Sequence, residues 1–458
     1  MLSTYWSNLG FSCPHCRYRL VMRERPADRR LWTWVVLLGF TGQLAWTVEN
    51  MYLNVFVYDT ITDSPTALAT LVAASAVAAT IATLLAGAAS DRTGRRREFI
   101  AAGYVLWGAC TAGFGLVSVD TAASALPMLD AVVVAVIAIV VLDCVMSVLG
   151  STANDAAFNA WVTDSTHPGN RGKVDGVLAT MPLLAMLLVF GALDPMTKGG
   201  HWALFFSIIG GVTALVGVVA WFGLREPRRP RPSGTYLSSV LHGLRPSTVR
   251  NQPRLYVALA AWAILGTSTQ VFLPYLIIYV QRYLDIDGYA VVLAAVLLGA
   301  AVISIVGGRV LDRVGPSRAI LPVAAVYAVG LLLMFPARSM LGVIGAGVVL
   351  MSGFMLGVAA ISATVRNLTP PDRAGQVQGL RMIFAVLIPM VIGPFVGAAV
   401  IAGADETFVD LGVVKQVPTP WIFPAAAVVV AFIVVPVVLL RKVDAPPTPE
   451  PKSLETTT

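Results

Sequence analysis

Several polar side chains interrupt a long apolar run near the start of the chain. Gln43, Trp46, Asn50 and Asn54 recur at steps of three and four residues, so a helix would place them on one stripe, with Glu49 at its edge. A carboxylate or an unpaired amide is costly in hydrocarbon, so we expect this stripe to face a watery cavity or a bound polar solute. An aromatic ring beside amides and a carboxylate suits a sugar, which offers an apolar face and hydroxyl groups.

A second polar set lies in the fourth apolar run. It consists of Asp143, Ser147, Ser151 and Asn154 on one helical stripe and of Asp155 and Asn159 on an adjacent one. We take Glu49, Asp143 and Asp155 as candidates for proton or cation coupling, because a carboxylic acid buried away from water can hold a proton at neutral pH. Two alternatives stay open: Glu49 could be a packing residue satisfied by a neighbouring helix, and Asp155 could belong to a gate or helix-end network.

The seventh apolar run offers a matching set later in the chain. Its substrate-binding candidates are Thr267, Gln270, Tyr275 and Tyr279, with Pro274 expected to loosen the helix. Ordinary aromatic packing is the alternative for the two tyrosines.

The composition indicates that these residues belong in a bilayer. With 57% apolar and 12% charged residues among 458, a soluble globule would lack polar surface. Twelve apolar runs are long enough to cross roughly 30 Å of hydrocarbon. We predict an all-α membrane protein with helices at about 31–58, 66–89, 98–118, 130–162, 174–193, 202–224, 255–281, 289–311, 319–336, 340–365, 376–403 and 421–440.

One motif occurs twice, 221 residues apart, and a second motif pair follows at an offset of 203. The first motif comprises Gly87, Asp91, Arg92, Gly94, Arg95 and Arg96, and its second copy comprises Gly308, Asp312, Arg313 and Gly315. Such ordered pairs indicate an internal duplication into two parallel six-helix pseudo-repeats. Between its motifs the first half holds 18 more residues, which an outer extension or a long tilted helix would explain. The 221-residue offset places Gln270 opposite Glu49, so a coupling carboxylate there belongs to the first half alone.

The duplication also divides the chain into parts. We expect a cytoplasmic segment at 1–30, six-helix bundles at 31–224 and 255–440, a basic linker at 225–254 and a disordered tail at 441–458. In the repeated motif, Asp91 and Asp312 can accept hydrogen bonds at a helix end and pair with nearby arginines, forming a conformational latch. The alternative is that the arginines are a topology signal and that Asp91 only forms a turn.

The basic residues set the expected orientation. If the N-terminus is cytoplasmic, only Lys198, Arg282, Arg338 and Lys415 of the 32 lie near outer loops. We therefore expect a multi-pass protein of the plasma or inner membrane with both termini cytoplasmic. The net charge of +7 then reports topology, so we expect no nucleic-acid partner. The expected partners are a small-molecule solute and anionic lipid headgroups, and we expect a monomer.

Motifs for enzymatic chemistry do not occur. The sequence has no phosphate-binding glycine loop, no Gly-x-Ser-x-Gly turn and no His-Glu-x-x-His pair, so we expect neither an enzyme nor an ATP-driven pump. Cys13 and Cys16 have only His15 nearby, so a zinc site would need a partner chain. We expect no metal and no cofactor, with H⁺ or Na⁺ as the coupling ion. Translation could begin at Met1 or at Met22.

The repeated motif resembles the loop signature of the major facilitator superfamily, and the resemblance covers 31–440. The stretch from Ser90 to Ile100 resembles sucrose-type proton symporters and the wider glycoside, pentoside and hexuronide cation symporters. Gln43-x-x-Trp46-x-x-Glu49 resembles the first helix of the sucrose carriers. The second motif copy departs from the signature after Gly315, where its basic cluster is weaker.

The resemblance implies a carrier with alternating access that moves a sugar or glycoside by proton-coupled, or sodium-coupled, symport. A proton-driven exporter of drugs or amphipathic metabolites is the alternative. A receptor or lipid scramblase of the same fold is a third reading, which the intact Asp91 and Asp312 disfavour.

Overall fold

The computed structural model describes residues 29–166, 168–225, 246–369, 374–410 and 413–444. Within them, twelve helices are long and apolar enough to span a bilayer, which confirms the predicted all-α membrane fold. They are α1 (Arg29–Thr60), α2 (Pro65–Gly87), α3 (Arg96–Leu116), α4 (Ala131–Ser165), α5 (Lys173–Lys198), α6 (Trp202–Gly223), α7 (Pro253–Tyr283), α8 (Tyr289–Leu311), α9 (Pro316–Met334), α10 (Met340–Leu368), α11 (Gly379–Ala404) and α12 (Ile422–Leu440). The expectations for Cys13, Cys16 and Met22, for most of the linker and for the C-terminal tail lie outside the described residues.

The extra length of the first half has two sources. A short helix, Val119–Ala125, occupies the connection between α3 and α4, whereas only five residues, 335–339, connect α9 and α10. In addition, α4 has 35 residues and its counterpart α10 has 29. The extension and the long helix, which the sequence offered as alternatives, therefore both occur.

Many spanning helices contain a π-helical turn, in which one extra residue widens the helix and shifts its side chains. These turns are Val48–Tyr52 in α1, Ser151–Phe158 in α4, Val189–Leu193 in α5, Tyr279–Tyr283 in α7 and Ile383–Leu387 in α11. Turns of this kind are frequent at functional sites. A tighter 3₁₀ turn, Leu273–Tyr275, also interrupts α7 at Pro274, whose missing N–H cannot continue the ladder.

Both copies of the repeated motif end a helix at a glycine. The helix that includes α2 continues to Thr93 and stops at Gly94, with φ 67°, and the helix that includes α8 stops at Gly315, with φ 91°. Glycine adopts these positive φ values without the steric cost that a Cβ brings. Asp91 and Asp312 thus lie in the last helical turn. Their side chains, and that of Arg92, lie outside the described part of the chain.

The two halves meet along a seam in which α2 packs against α11 and α5 packs against α8. These pairs are equivalent when the halves are exchanged, as a parallel duplication requires. We call one end of the seam the linker end, because α6 ends there and the predicted linker follows it. At this end Arg30 of α1 donates a 2.6 Å hydrogen bond to the carbonyl oxygen of Gly223 at the end of α6. The other is the hairpin end, named for the antiparallel strands β1 (Thr407–Asp410) and β2 (Val413–Gln416) between α11 and α12. The sequence did not predict these strands.

Within each half, small residues let helices approach closely. Gly108 of α3 and Gly210 of α6 face each other, and a Cβ on Gly210 would lie only 2.7 Å from the backbone nitrogen of Ala112. Helices in membranes gain much of their stability from such van der Waals contact, because lipid supplies no hydrophobic driving force between them.

Gly210→Ala should lower the free energy of unfolding by about 1–3 kcal/mol, the usual cost of overpacking. Gly211→Ala is the matched control: Gly211 is exposed and a Cβ there meets open space. This control should be neutral or slightly stabilising, since Ala forms helices better than Gly. Thermal unfolding of both variants in detergent would measure the difference, and equal shifts in Tm would contradict the close approach of α3 and α6.

Candidate functional site

A cavity of about 200 Å³ lies on the seam between the halves. Its lining consists of Trp46, Glu49, Asn50, Ser75, Ala76, Ala79, Asp155, Met382, Val386 and Met390. Helices α1, α2 and α4 of the first half and α11 of the second half contribute these residues. The structure therefore brings Trp46, Glu49 and Asn50 of the predicted stripe together with Asp155 at one site.

Residues in three π-helical turns line the cavity. Glu49 and Asn50 lie in the π turn of α1, Asp155 in that of α4 and Val386 in that of α11. Each turn displaces the residues after it from ordinary helical register. The three turns that contribute to this wall come from three different helices, so the cavity lies where the regular packing of α1, α4 and α11 is interrupted.

Glu49 is buried and is held by one hydrogen bond. The hydroxyl of Ser147 in α4 donates to Glu49 Oε1 at 2.7 Å, which ties α1 to α4. Glu49 Oε2 is buried and has no hydrogen-bond partner among the described residues. The packing alternative for Glu49 thus holds for one oxygen only, while the residue also lines the cavity.

Two further carboxyl groups are close enough to Glu49 for electrostatic repulsion, those of Asp143 and Asp155. Asp143 is 1% exposed, interacts with Ser75, and has one carboxyl oxygen without a partner in the described residues. It is not part of the cavity wall, although Ser75 is. Asp143 therefore belongs to the acidic cluster without lining the cavity.

Asp155, which reaches the cavity, is more fully satisfied. Ser151 Oγ donates to its carboxylate at 3.1 Å and Asn154 Nδ2 does so at 3.3 Å. These bonds come from neighbours in its own helix, so Asp155 is fixed in place by α4 itself.

The cavity has no basic lining residue among those that the structure describes. Buried charges in proteins are normally paired, and a lone buried carboxylate is expensive. Glu49, Asp143 and Asp155 together therefore favour uptake of a proton or a cation, or of a solute that carries positive charge. In the described ranges no group of three or more His, Cys, Asp and Glu side chains is arranged to hold a metal ion.

An aromatic cluster supports Trp46. Its ring lies 5.1 Å from that of Trp107 in α3, which in turn contacts Tyr104 edge-on at 5.5 Å. The Tyr104 hydroxyl is within hydrogen-bond distance of the Leu38 carbonyl oxygen, at 2.8 Å, and of Asn154 Oδ1, at 3.0 Å. Trp46 therefore presents its ring to the cavity from a rigid support, and Trp107 and Tyr104 were not among the predicted site residues.

The side-chain amides of Asn50 and Asn54 in α1 donate hydrogen bonds to backbone carbonyl oxygens of the same helix. Asn50 Nδ2 donates to the Trp46 carbonyl oxygen at 2.8 Å, and Asn54 Nδ2 donates to that of Asn50 at 3.2 Å. Asn54 is buried and does not line the cavity, and neither does Gln43. Substrate binding by Asn54 and Gln43 stays a prediction.

The candidates in α7 face other surfaces. Tyr275 has its hydroxyl within 2.9 Å of the Pro394 carbonyl oxygen and 3.1 Å of that of Pro65, so it joins α7 to α11 and α2. Tyr279 is fully buried, and its ring stacks on Tyr283 at 5.3 Å. The packing alternative for the tyrosines fits these contacts.

Thr267 and Gln270 are also absent from the wall of the cavity. Thr267 is buried, and Gln270 packs against Gly393 of α11. Substrate binding by the four α7 residues is therefore still only a prediction, because the described cavity contacts none of them.

The second half instead supplies an apolar wall of Met382, Val386 and Met390. The three residues are spaced by four and so form one helical stripe, which the pattern of polar residues does not indicate.

The motif at the linker end has a partner on α4. Arg96 Nε pairs with Asp164 Oδ2 at 2.8 Å, with side-chain exposures of 14% and 15%. Arg95 pairs with Glu98 at 3.5 Å on the exposed surface, and Arg313 is also exposed. The first motif is therefore fastened to the end of α4, a pairing that the sequence analysis did not foresee. The latch role of Asp91 and Asp312 stays a prediction, because their side chains lie outside the described part of the chain.

Comparison with solved structures shows where this fold recurs. The nucleoside transporter NupG matches with a TM-score of 0.63 at 11% identity, over 91% of this chain and 99% of that one. A bacterial homologue of the human lysosomal transporter Spinster, in an inward-facing and unoccupied conformation, matches with a TM-score of 0.61 at 16% identity, over 94% and 96% of the two chains. At these identities the likeness shows the fold alone.

Sequence comparisons agree with the fold. No curated protein matches the chain. The family model of the Major Facilitator Superfamily matches residues 35–394 and 284–457, which together cover most of the sequence. With its duplicated six-helix halves, the chain belongs to the Major Facilitator Superfamily and is a multi-pass membrane transporter.

Proposed function

We propose that this transporter moves a small polar solute, a sugar or glycoside, by proton-coupled symport with alternating access. The observation that carries the proposal is the meeting of Trp46, Asn50 and Glu49 with Asp155 at one cavity on the seam. An aromatic face beside hydrogen-bonding groups suits a sugar ring. The resemblance of the Ser90–Ile100 stretch to sucrose-type symporters supports the same solute class, and sodium is the alternative coupling ion.

The acidic cluster gives coupling a physical route. When the cavity is open to water, Glu49 can be charged because water solvates it. Closing the halves around a charged Glu49 would leave it beside Asp143 and Asp155 without a cation, which is strongly unfavourable. Binding of a proton removes that cost, so the loaded carrier can close. The proton and the solute then cross together, because closing the halves over the filled cavity requires the neutral acid.

The proposed orientation places the linker end at the cytoplasm. This end carries Arg95, Arg96 and Arg97, and cytoplasmic loops of membrane proteins are enriched in such residues. We propose that the protein lies in the plasma or inner membrane as a monomer, with its basic linker against anionic headgroups. The Arg96–Asp164 pair then holds the loop that follows Asp91 against the end of α4, within the first half and next to the proposed latch.

One observation favours a second candidate, proton-driven export of amphipathic compounds. The wall formed by Met382, Val386 and Met390 offers no hydrogen-bonding group to a sugar, and flexible methionines adapt to varied apolar surfaces. The acids on the opposite wall would attract a positively charged group. An amphipathic cation therefore fits both walls, whereas a sugar uses one.

Uptake by purified protein in proteoliposomes with an imposed pH gradient separates these candidates. The panel consists of labelled mono- and disaccharides, with ethidium as the amphipathic cation. The proposal expects at least one sugar to accumulate above the level in protein-free liposomes and to lose that accumulation when the gradient is collapsed. Movement of ethidium with uniformly flat sugar uptake would replace symport by the second candidate.

Glu49→Gln should abolish uphill accumulation of the transported compound while sparing its downhill exchange. A neutral amide keeps the hydrogen bond from Ser147 but cannot take up a proton. Glu406→Gln is the matched control, because Glu406 is exposed, directly precedes β1 at the hairpin end and does not line the cavity. If Glu49→Gln still concentrates solute with the wild-type pH dependence, coupling belongs to Asp143 or Asp155. A series in which all three variants stay coupled would rule out the carboxylate mechanism.

A further inference from the structure

The hairpin of β1 and β2 belongs to the second half but reaches across the seam. Its strands are paired with Thr407 opposite Gln416 and Phe408 opposite Lys415. The outer edge of β2 faces the segment that follows α1, in the first half. A strand edge exposes backbone groups that need partners, so the identity of those partners shows what the edge binds.

A single residue of β2 is held at both of its backbone groups by the first half. The Gln416 N–H donates to Asp63 Oδ2 at 2.6 Å. The Tyr58 hydroxyl donates to the Gln416 carbonyl oxygen at 2.7 Å. Both bonds are short, and the first involves a charged acceptor, which makes it stronger than a neutral hydrogen bond.

Charged groups surround this contact. Arg282 at the end of α7 forms a 2.9 Å ion pair with Asp59 of α1, and its guanidinium lies 5.7 Å from the centre of the Phe408 ring in β1. Lys415 of β2 donates a longer bond, 3.4 Å, to the Asp59 carbonyl oxygen. Its ammonium also lies 5.5 Å from the ring of Tyr58. The end of α1 therefore contacts both α7 and the hairpin.

This contact lies beyond the cavity along the seam. On α1, which runs from the linker end to the hairpin end, the cavity residues Trp46 to Asn50 precede Tyr58. On α2, which runs the opposite way, Pro65 precedes Ser75. The hydrogen bonds from Tyr289 to Asp194, from Lys198 to Asp287 and from Tyr275 to Pro65 also join the two halves at the hairpin end.

We infer that the β1–β2 hairpin is a strap that fastens the second half to the end of α1 when the hairpin end is closed, and that it releases Tyr58, Asp59 and Asp63 whenever the cavity opens to that side. The two strands stay paired and move with α11 and α12, because their ladder lies within one half. Arg282 moves with them, since α7 belongs to the same half.

The chemistry of the contact suits repeated release. The groups involved are polar, few in number and at the border of the membrane, so water can replace each partner when the halves separate. The strap therefore favours closure without making it permanent. The inference requires only that the halves separate at the hairpin end, so it does not depend on the solute, the coupling ion or Glu49.

Spin-label distances measured by double electron–electron resonance test the strap directly. One label pair crosses the seam, Thr60→Cys with Val414→Cys, and the reference pair stays within the second half, Asp287→Cys with Val414→Cys. All four native cysteines are replaced beforehand. Every labelled position is exposed in this structure. The crossing pair should show a short and a long distance, and the reference pair should show one.

Asp63→Ala removes the charged acceptor of Gln416 and should raise the ratio of long to short distances roughly tenfold, the factor that one charge-assisted hydrogen bond supplies. Asp63→Asn keeps an acceptor oxygen and should raise the ratio less. Asp120→Ala is the matched control, because Asp120 is an exposed carboxylate in the short helix Val119–Ala125 before α4 and should change nothing.

Gel filtration establishes that each variant is folded before its distances are compared. The inference is overturned if the crossing pair keeps a single short distance in both the wild type and Asp63→Ala, because the hairpin is then a fixed cap. It is also overturned if Asp120→Ala shifts the ratio as much as Asp63→Ala does.

Discussion

A carboxylate buried away from water keeps its charge at low cost only if a cation pairs with it, and in this protein the seam between the halves is where water can reach such groups. Glu49, Asp143 and Asp155 lie together near the seam, and no basic residue stands among the described residues of the cavity wall. Closing the halves over such a cluster is unfavourable unless a proton or a cation joins it. The π-helical turns of α1 and α4 place Glu49 and Asp155 at the cavity wall, and irregular backbone of this kind is frequent at functional sites.

The contacts inside each half and those across the seam have different physical character. Inside a half, the backbones of Gly108 and Gly210 approach so closely that no side chain fits between them, which packs α3 tightly against α6. Across the seam, the described hydrogen bonds are made by side chains such as Tyr58, Asp59 and Arg282 at the hairpin end. Water can replace these partners, whereas it cannot replace a lost van der Waals contact between helices. In the proposed alternating access, water can therefore take over these polar contacts at the hairpin end when the halves separate.

The twelve helices and the duplication could be predicted because length, apolar composition and repeated motifs depend on the chain alone. The acidic residues could be identified as candidates because a charged side chain inside an apolar helix is costly unless it faces water or a partner. The rotation of each helix could not, since neighbouring helices decide it: α7 turns Tyr275 toward backbone carbonyls and leaves the wall to Met382 and its neighbours on α11. The hairpin could not be predicted because strands of only four residues are too short to show a clear alternation of polar and apolar residues. The Arg96–Asp164 pair could not be predicted because its two residues lie on different helices.

The duplication preserved the frame of the two halves while their chemistry diverged. Glu49 lines the cavity, but its counterpart Gln270 packs against Gly393, and the wall from the second half is apolar. A wall without charges changes the environment of the acids mainly by admitting or excluding water, so its movement acts on them through hydration. In the proposed mechanism the first half holds the groups that bind and titrate in a fixed geometry, and the second half acts as the moving wall. In the proposed symport, repeat symmetry allows the halves to rock, and the loss of symmetry at Glu49 allows that movement to be coupled to an ion.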